Sequence, residues 1–347
     1  MTSPDGRVDL RSDTVTTPTP EMRRAMAAAD VGDDAYGEDP TVNRLEALAA
    51  DRLGTDAALY VTSGTLANQL ALRVLGRPGT EVLCGERAHV YRYEHAAAAG
   101  NAGVQLRPVP DPDGRFGDAA VTRAVQDAGA HLPPLSAVAI ENPHMPASGR
   151  PWSPAEVAAV AAAAHGHGLP VHCDGARIWN AAVATGVAPR DLGAPVDTVM
   201  FCLSKGLAAP IGSVLCGSRA AIGAAREERA RLGGAWRQAG VIAAAGIVAL
   251  ETMVERLADD HARARRLADA LAARFPGSVE PEHVRTNIVC ASADHLPPRL
   301  VDRLDVEGVR CGMIDGRTVR FVTHKDVDDH DVDRTVAALD VIRKEDA

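Results

Sequence analysis

No stretch of the 347-residue sequence is long and apolar enough to span a bilayer. The longest apolar run, Val241 to Leu250, falls well short of the roughly 20 residues a helical span requires. The opening Met1-Thr2-Ser3-Pro4-Asp5-Gly6-Arg7 lacks the apolar core of a secretion signal, so a cytoplasmic location without membrane partners is expected. Cysteine is sparse and has no C-x-x-C pairing: Cys84, Cys173, Cys202, Cys216, Cys290 and Cys311 are far apart, mostly in apolar runs, and read as reduced core residues. There is no basic tract. The net charge is -9 and the arginines are interspersed with Asp and Glu, which excludes a nucleic-acid surface. Among twelve histidines, only His165-x-His167 and His172-x-Asp174 have metal-like spacing, with no third ligand in step, so no metal is expected. Aromatic residues are only 3% of the chain, and Trp152, Trp179 and Trp236 read as packing residues. Internal repeats and low-complexity linkers are absent.

What is present is ordinary soluble composition, 46% apolar and 24% charged, at a length that suits two domains. Short apolar runs at 57–61, 81–84, 137–140, 169–173, 198–201 and 213–216 read as strands. They alternate with helical spacing at 20–29, 43–53, 65–75 and 153–167. Ser153-Pro154-Ala155-Glu156 is a helix start signal. Such alternation predicts an α/β fold with a mostly parallel central sheet covered by helices. A helical stretch over about 235–274 leads to short strands at 286–291, 309–314 and 318–322 and a last helix over 331–344, the pattern of a smaller C-terminal α+β domain. The expected division is 1–250, including an N-terminal arm over 1–20, and 251–347.

The chemistry is carried by Lys205, in Ser204-Lys205-Gly206, and by Asp174, in His172-Cys173-Asp174-Gly175. In that setting a lysine and an aspartate are what pyridoxal phosphate needs: an amine to form an imine, and a carboxylate that keeps the pyridine nitrogen protonated. Upstream, Tyr60-Val61-Thr62 runs into Ser63-Gly64-Thr65 and a helix, where backbone N–H groups and hydroxyls at the helix N-terminus suit a phosphate.

Several longer motifs resemble the low-specificity L-threonine aldolases almost end to end. They are Val8-Asp9-Leu10-Arg11-Ser12-Asp13-Thr14-Val15-Thr16, Gly32 to Thr41, Ser63-Gly64-Thr65, Asp174-Gly175-Ala176-Arg177, Ser204-Lys205-Gly206-Leu207, Trp236 to Gly240 and Arg320 to His324. The resemblance implies the type I fold of pyridoxal phosphate enzymes and retro-aldol cleavage of β-hydroxy-α-amino acids such as L-threonine and L-allo-threonine to glycine and an aldehyde. It also implies a homo-oligomer, a dimer of dimers, with active sites shared between subunits. By motif, Lys205 would be the Schiff-base lysine and Asp174 the pyridinium partner. Ser63, Gly64 and Thr65 would hold the phosphate, helped by Arg237 of a neighbouring subunit. Ser12, Arg177 and Arg320 would grip the substrate carboxylate, where planar guanidinium favours bidentate contact. His89 matches the ring-stacking histidine and His131 a second one near the substrate hydroxyl. Either could influence the proton of that hydroxyl. Tyr36 would approach the substrate.

The chain departs from this pattern in three places. After Glu141-Asn142 the family continues Thr-His-Asn with a glycine-rich turn, whereas Pro143 to Gly149 here contain two prolines, which predicts a stiffer loop. A glycine pair after Glu94 is replaced by His95 and an alanine run, removing backbone freedom near His89. Trp236 stands where methionine is common. Two alternatives stay open: another lyase reaction on the same scaffold, β-elimination or cleavage of a bulkier β-hydroxy amino acid, and cofactor binding without turnover.

Overall fold

The computed structural model describes residues 6–127, 129 and 131–345; the start of the opening segment, Met1 to Asp5, and Ala130 beside His131 lie outside the described residues. Among the described residues, twelve strands form three sheets. In chain order they are β1 (Val8–Asp9), β2 (Ala57–Val61), β3 (Glu81–Gly85), β4 (Gln105–Val109), β5 (Leu135–Glu141), β6 (Val171–Asp174), β7 (Thr198–Cys202), β8 (Ser213–Gly217), β9 (Ile288–Ser292), β10 (Val309–Arg310), β11 (Gly312–Met313) and β12 (Thr318–Val322).

The central seven-stranded sheet has the order β2-β8-β7-β6-β5-β3-β4. Only β8 runs against the others. Strands β3, β5, β7 and β8 are buried along their whole length, which explains their unbroken apolar runs. One face packs on the helices Pro20–Ala27, Pro40–Leu53, Pro154–Gly166, Ile178–Thr185 and Gly240–Thr252. The other packs on Gly64–Leu75 and Arg219–Arg231. Ser153 closes a full capping box with Glu156, as its start signal predicts. Because β5, β6 and β7 are parallel, their C-terminal ends share one edge, with Glu141 directly beside Asp174. Ligands of open α/β sheets bind at such edges.

A separate cluster of buried residues runs from Ala264 to Ile342 and includes Val8 and Leu10. The N-terminal arm, expected with the large domain, thus has its strand in the smaller packing unit: β1 pairs in parallel with β10. The chain passes from one core to the other inside the helix Leu257–Arg274, whose Leu257 belongs to the first core and Ala264 to the second.

Three expectations need correcting. The stretch over 235–274 is two helices, Gly240–Thr252 and Leu257–Arg274, separated by Met253 to Arg256, where neither Gly nor Pro marks the break. Strand β4 was not expected, because Arg107 and Pro108 interrupt its apolar pattern; it is an edge strand, where proline is tolerated. The segment over 309–314 is divided between β10 and β11, which lie in different sheets.

Where the glycine pair is missing, the backbone keeps the conformation that glycine favours. His95 and Ala96 have φ of 52° and 58°, and both are exposed. Left-handed backbone costs a residue with a Cβ about 1–2 kcal/mol, against which glycine's extra unfolded-state entropy weighs about 0.5–1 kcal/mol. His95→Gly and Ala96→Gly should therefore each stabilise the fold by about 0.5–1 kcal/mol. Denaturant midpoints at constant m-value would measure this, and a lower midpoint in both variants would refute it.

Candidate active site

Asp174 ends β6 and is almost fully buried. Its Oδ2 accepts from the Asn68 amide at 2.8 Å and its Oδ1 from the backbone N–H of Ala176 at 3.0 Å. Burial alone would raise its pKa. The charges of His89 and Lys205, the Asn68 hydrogen bond and the nearby His172 outweigh burial and hold the carboxyl below the usual range. Lys205 lies in the turn after β7, and its carbonyl accepts from Thr16 Oγ1 at 3.0 Å. The Lys205 charge also helps to keep Asp13 ionised.

Arg177 follows β6 and is committed on one side. Its Nε and Nη2 donate to the two oxygens of fully buried Asp13 at 2.7 and 2.6 Å, and Asn287 donates to Asp13 at 3.1 Å. Burial opposes charge on Asp13, but Arg177 and Lys205 hold its pKa far below the ordinary carboxylate value. Arg320, on β12, reaches the carbonyl of Arg11 at 2.9 Å and Met145 Sδ at 3.5 Å, while its buried Nε has no hydrogen-bond partner among the described residues. Burial and the neighbouring Arg177 guanidinium both lower its pKa. Two close guanidiniums and an unpartnered donor make a place for an anion. Ser12 caps the short turn Asp13–Val15 beside them, accepting from Thr14 N–H at 3.3 Å.

Helix Gly64–Leu75 starts at Ser63, whose hydroxyl accepts from Leu66 N–H at 3.1 Å, so the amides of Gly64 and Thr65 sit in its open first turn. A Cβ at Gly64 would lie 2.9 Å from Cys202 Sγ and 3.0 Å from Met200 Cε, so the backbone there has no room for a side chain. His89 opens the helix His89–Arg92. Its backbone N–H donates to Glu141 at 2.7 Å and its Nδ1 meets Glu94 at 3.0 Å. Burial would lower its pKa, but Glu94, Asp174 and Glu141 together raise it.

The model of the β-eliminating lyase family matches residues 9–294. A probable low-specificity L-threonine aldolase of Arabidopsis thaliana is 39% identical over 343 residues, covering 96% of this chain and 97% of its own. The low specificity L-threonine aldolase of Escherichia coli K12 is 39% identical over 265 residues, 76% of this chain and 79% of its own. The chain belongs to the β-eliminating lyase family, in its threonine aldolase branch. Among solved structures, Leishmania major threonine aldolase superposes with a TM-score of 0.83 over 97% of this chain and 99% of its own, at 19% identity, a likeness of fold.

This lyase has the type I fold and is pyridoxal phosphate-dependent. The residues present fit the cofactor. An ionised buried carboxylate suits a ring nitrogen, the first-turn amides of Gly64 and Thr65 suit a phosphate, and Lys205 supplies an amine whose charge acts on both Asp174 and Asp13. His89, Glu94 and Asp174 offer ligand atoms within 4.8 Å of one another, close enough for a cation, but the Asn68 amide already donates to both carboxylates.

Three expected residues are not brought into this cluster. His131 is exposed in the turn before β5, whereas the site lies at the far end of that strand. Seven residues at about 3.3 Å each separate them, so within this chain His131 cannot reach the substrate hydroxyl. Tyr36 and Arg237 are 80% and 65% exposed and lie on neighbouring loops, where Asp34 N–H donates to the Arg237 carbonyl at 3.1 Å. Asn68, Glu94, Glu141 and Asp13 were not singled out from sequence. Asn68 and Glu141 are polar within otherwise buried runs, Asp13 lies inside the Val8 to Thr16 motif, and Glu94, between half-buried Tyr93 and exposed His95, carries no such signal.

Behind Asp174, fully buried His172 touches Asn68 Oδ1 at 3.0 Å and Thr198 Oγ1 at 2.9 Å, and burial pushes its pKa down to about 4. With its folded pKa below the unfolded value of about 6.5, its stabilising contribution is complete above pH 6.5 and is lost as pH falls toward 4, by roughly 3 kcal/mol. Unfolding free energies at pH 7 and 4.5 should show this loss in the wild type and a flatter profile in His172→Gln. Equal slopes in the two proteins would refute it.

Proposed function

We propose that this lyase cleaves the Cα–Cβ bond of β-hydroxy-α-amino acids, L-threonine and L-allo-threonine among them, to glycine and an aldehyde. What supports the reading is a chain of charges acting on one another: Lys205 on Asp174 and Asp13, Asp13 held by Arg177 at 2.6 and 2.7 Å, and Arg177 on Arg320. Cofactor binding alone needs no grip on a carboxylate. The names of the Arabidopsis and E. coli relatives point to the same reaction.

Bound pyridoxal phosphate supplies the electron sink for the pair left on Cα. Asp174 would face the ring nitrogen and keep it protonated. Lys205 is the amine that would hold the cofactor; of the chain's other two lysines, Lys325 pairs with Asp326 and Lys344 lies in the C-terminal helix. Arg320, the remaining face of Arg177 and Ser12 orient the substrate carboxylate. His89 accepts the β-hydroxyl proton. Met145, Tyr93 and Ile314 pack together beside Arg320 and would border the substrate's side chain.

Tyr36 and Arg237 act, in this reading, in the site of a second copy. Half-exposed Val31 and Val241 flank their loops, which suits a contact between subunits in a dimer of dimers. Six free cysteines fit a cytoplasmic location, and no helix among the described residues is long and apolar enough to cross a membrane.

With either threonine diastereomer, the holoenzyme should release glycine and acetaldehyde in equal amounts; ammonia with a keto acid instead would replace this reading with β-elimination. Lys205→Ala should lose turnover together with the visible absorption band of the bound cofactor, and full activity in that variant would sink the lysine's role. Arg320→Ala should weaken amino acid binding by roughly 2–3 kcal/mol. Spectral titration of the holoenzyme with glycine measures this, and wild-type affinity would remove Arg320 from the carboxylate site.

A further inference from the structure

His89 is held by a closed set of buried polar contacts that the cleavage reaction alone does not explain. Glu94 is 2% exposed and carries three donors: the Asn68 amide at 2.7 Å and His89 Nδ1 at 3.0 Å on Oε1, and the Gln69 amide at 2.7 Å on Oε2. Asn68 uses its other amide hydrogen on Asp174, at 2.8 Å. The orientation of Asn68 is set by the carboxylates: ionised Glu94 and Asp174 can only accept, so its NH2 group must face them. Its Oδ1 then faces His172 Nε2 at 3.0 Å, and that nitrogen carries the hydrogen. An ionised Glu94 can only accept, and His89 Nδ1 must bring the hydrogen to it.

We propose that Glu94 is a positioning residue for the aldol cleavage: it fixes His89 in the Nδ1–H form, so that Nε2 is the nitrogen that takes and returns the substrate proton. The role assigned to Nε2 rests on the function proposed above; the tautomer does not. Because Asn68 joins Glu94 to Asp174, the carboxylate that serves the cofactor ring and the one that orients the base share a single amide. A displacement of either is felt by the other.

The charged groups facing His89 are Glu94 on its own segment, Asp174 on β6, Glu141 on β5 and Lys205 after β7. The three carboxylates favour imidazolium, while burial and Lys205 oppose it. As base, His89 must be neutral, so the acid limb of the kcat/KM profile should follow its titration. Removing the Glu94 charge should move that limb to lower pH.

The test uses the holoenzyme with nitrogen-15-labelled histidine and no substrate, His89 being assigned by its loss in His89→Asn. Neutral His89 should show the Nδ1–H pattern, with a titration midpoint that falls in Glu94→Gln. In the same variant kcat should drop about 10²-fold, with the acid limb moved down and the cofactor band retained. A proton on Nε2 in the neutral wild-type ring overturns the proposal, as does a Glu94→Gln variant with unchanged midpoint and acid limb. Should that variant fail to fold, the wild-type tautomer decides alone. If the wild type produces no glycine and aldehyde, the function reading fails while the tautomer still decides the role of Glu94.

Discussion

The site depends on keeping several carboxylates ionised out of water. Asp13, Glu94, Glu141 and Asp174 are all buried, and an unpaired buried charge would neutralise or unfold its surroundings. Each is supplied with donors from a different part of the chain: Arg177 and Asn287 for Asp13, Asn68 and Gln69 for Glu94, the backbone of His89 and Met145 for Glu141, Asn68 and Ala176 for Asp174. The N-terminal arm, the first turns of the helix Gly64–Leu75, the sheet edge and the C-terminal unit are therefore held in mutual register by charge compensation as much as by apolar packing. The positive groups Lys205 and His89 complete this balance, so the proposed chemistry and the stability of the fold rest on the same contacts.

Much of this was legible in the sequence, for identifiable reasons. Buried strands leave unbroken apolar runs, which is why β2, β3, β5, β6, β7 and β8 were anticipated and edge strand β4, with Arg107 and Pro108, was not. Lys205, Asp174, Arg177 and the Ser63 turn carry motifs whose residue types are tied to their chemistry. Asn68 and Glu94 carry none. A polar residue on a helix or in a turn ordinarily faces solvent, and only the packed structure shows that Asn68, on its helix, bridges Glu94, in a bend, to Asp174. His131 misled because its segment is a connection outside the sheet, and loop position does not follow from similarity in the strands that flank it.

Local departures from the family pattern have been absorbed in different ways. At His95 and Ala96 the backbone keeps its left-handed turn despite the added Cβ atoms, and Glu94, immediately before them, stays in place. After Asn142 the proline-containing loop is tied down by Met145 N–H on Glu141 and by the Thr286 hydroxyl on the Gly149 carbonyl. Gly149 cannot be replaced without collision, since a Cβ there would sit 2.0 Å from Thr286 Oγ1.

The pairing of β1 with β10 has a consequence for the order in which the molecule is made. Val8 lies against Val309, so the arm that delivers Asp13 to the site has no strand partner until nearly the whole chain has been synthesised. At roughly 5–20 residues per second, that wait is on the order of 15–60 seconds. For the later part of this interval, roughly 7–26 seconds, Arg177 is in the emerging chain before the arm that carries its carboxylate partner has a strand to pair with. Closure of the arm is thus a late event of biogenesis, and the nascent large sheet is an incomplete enzyme until it occurs.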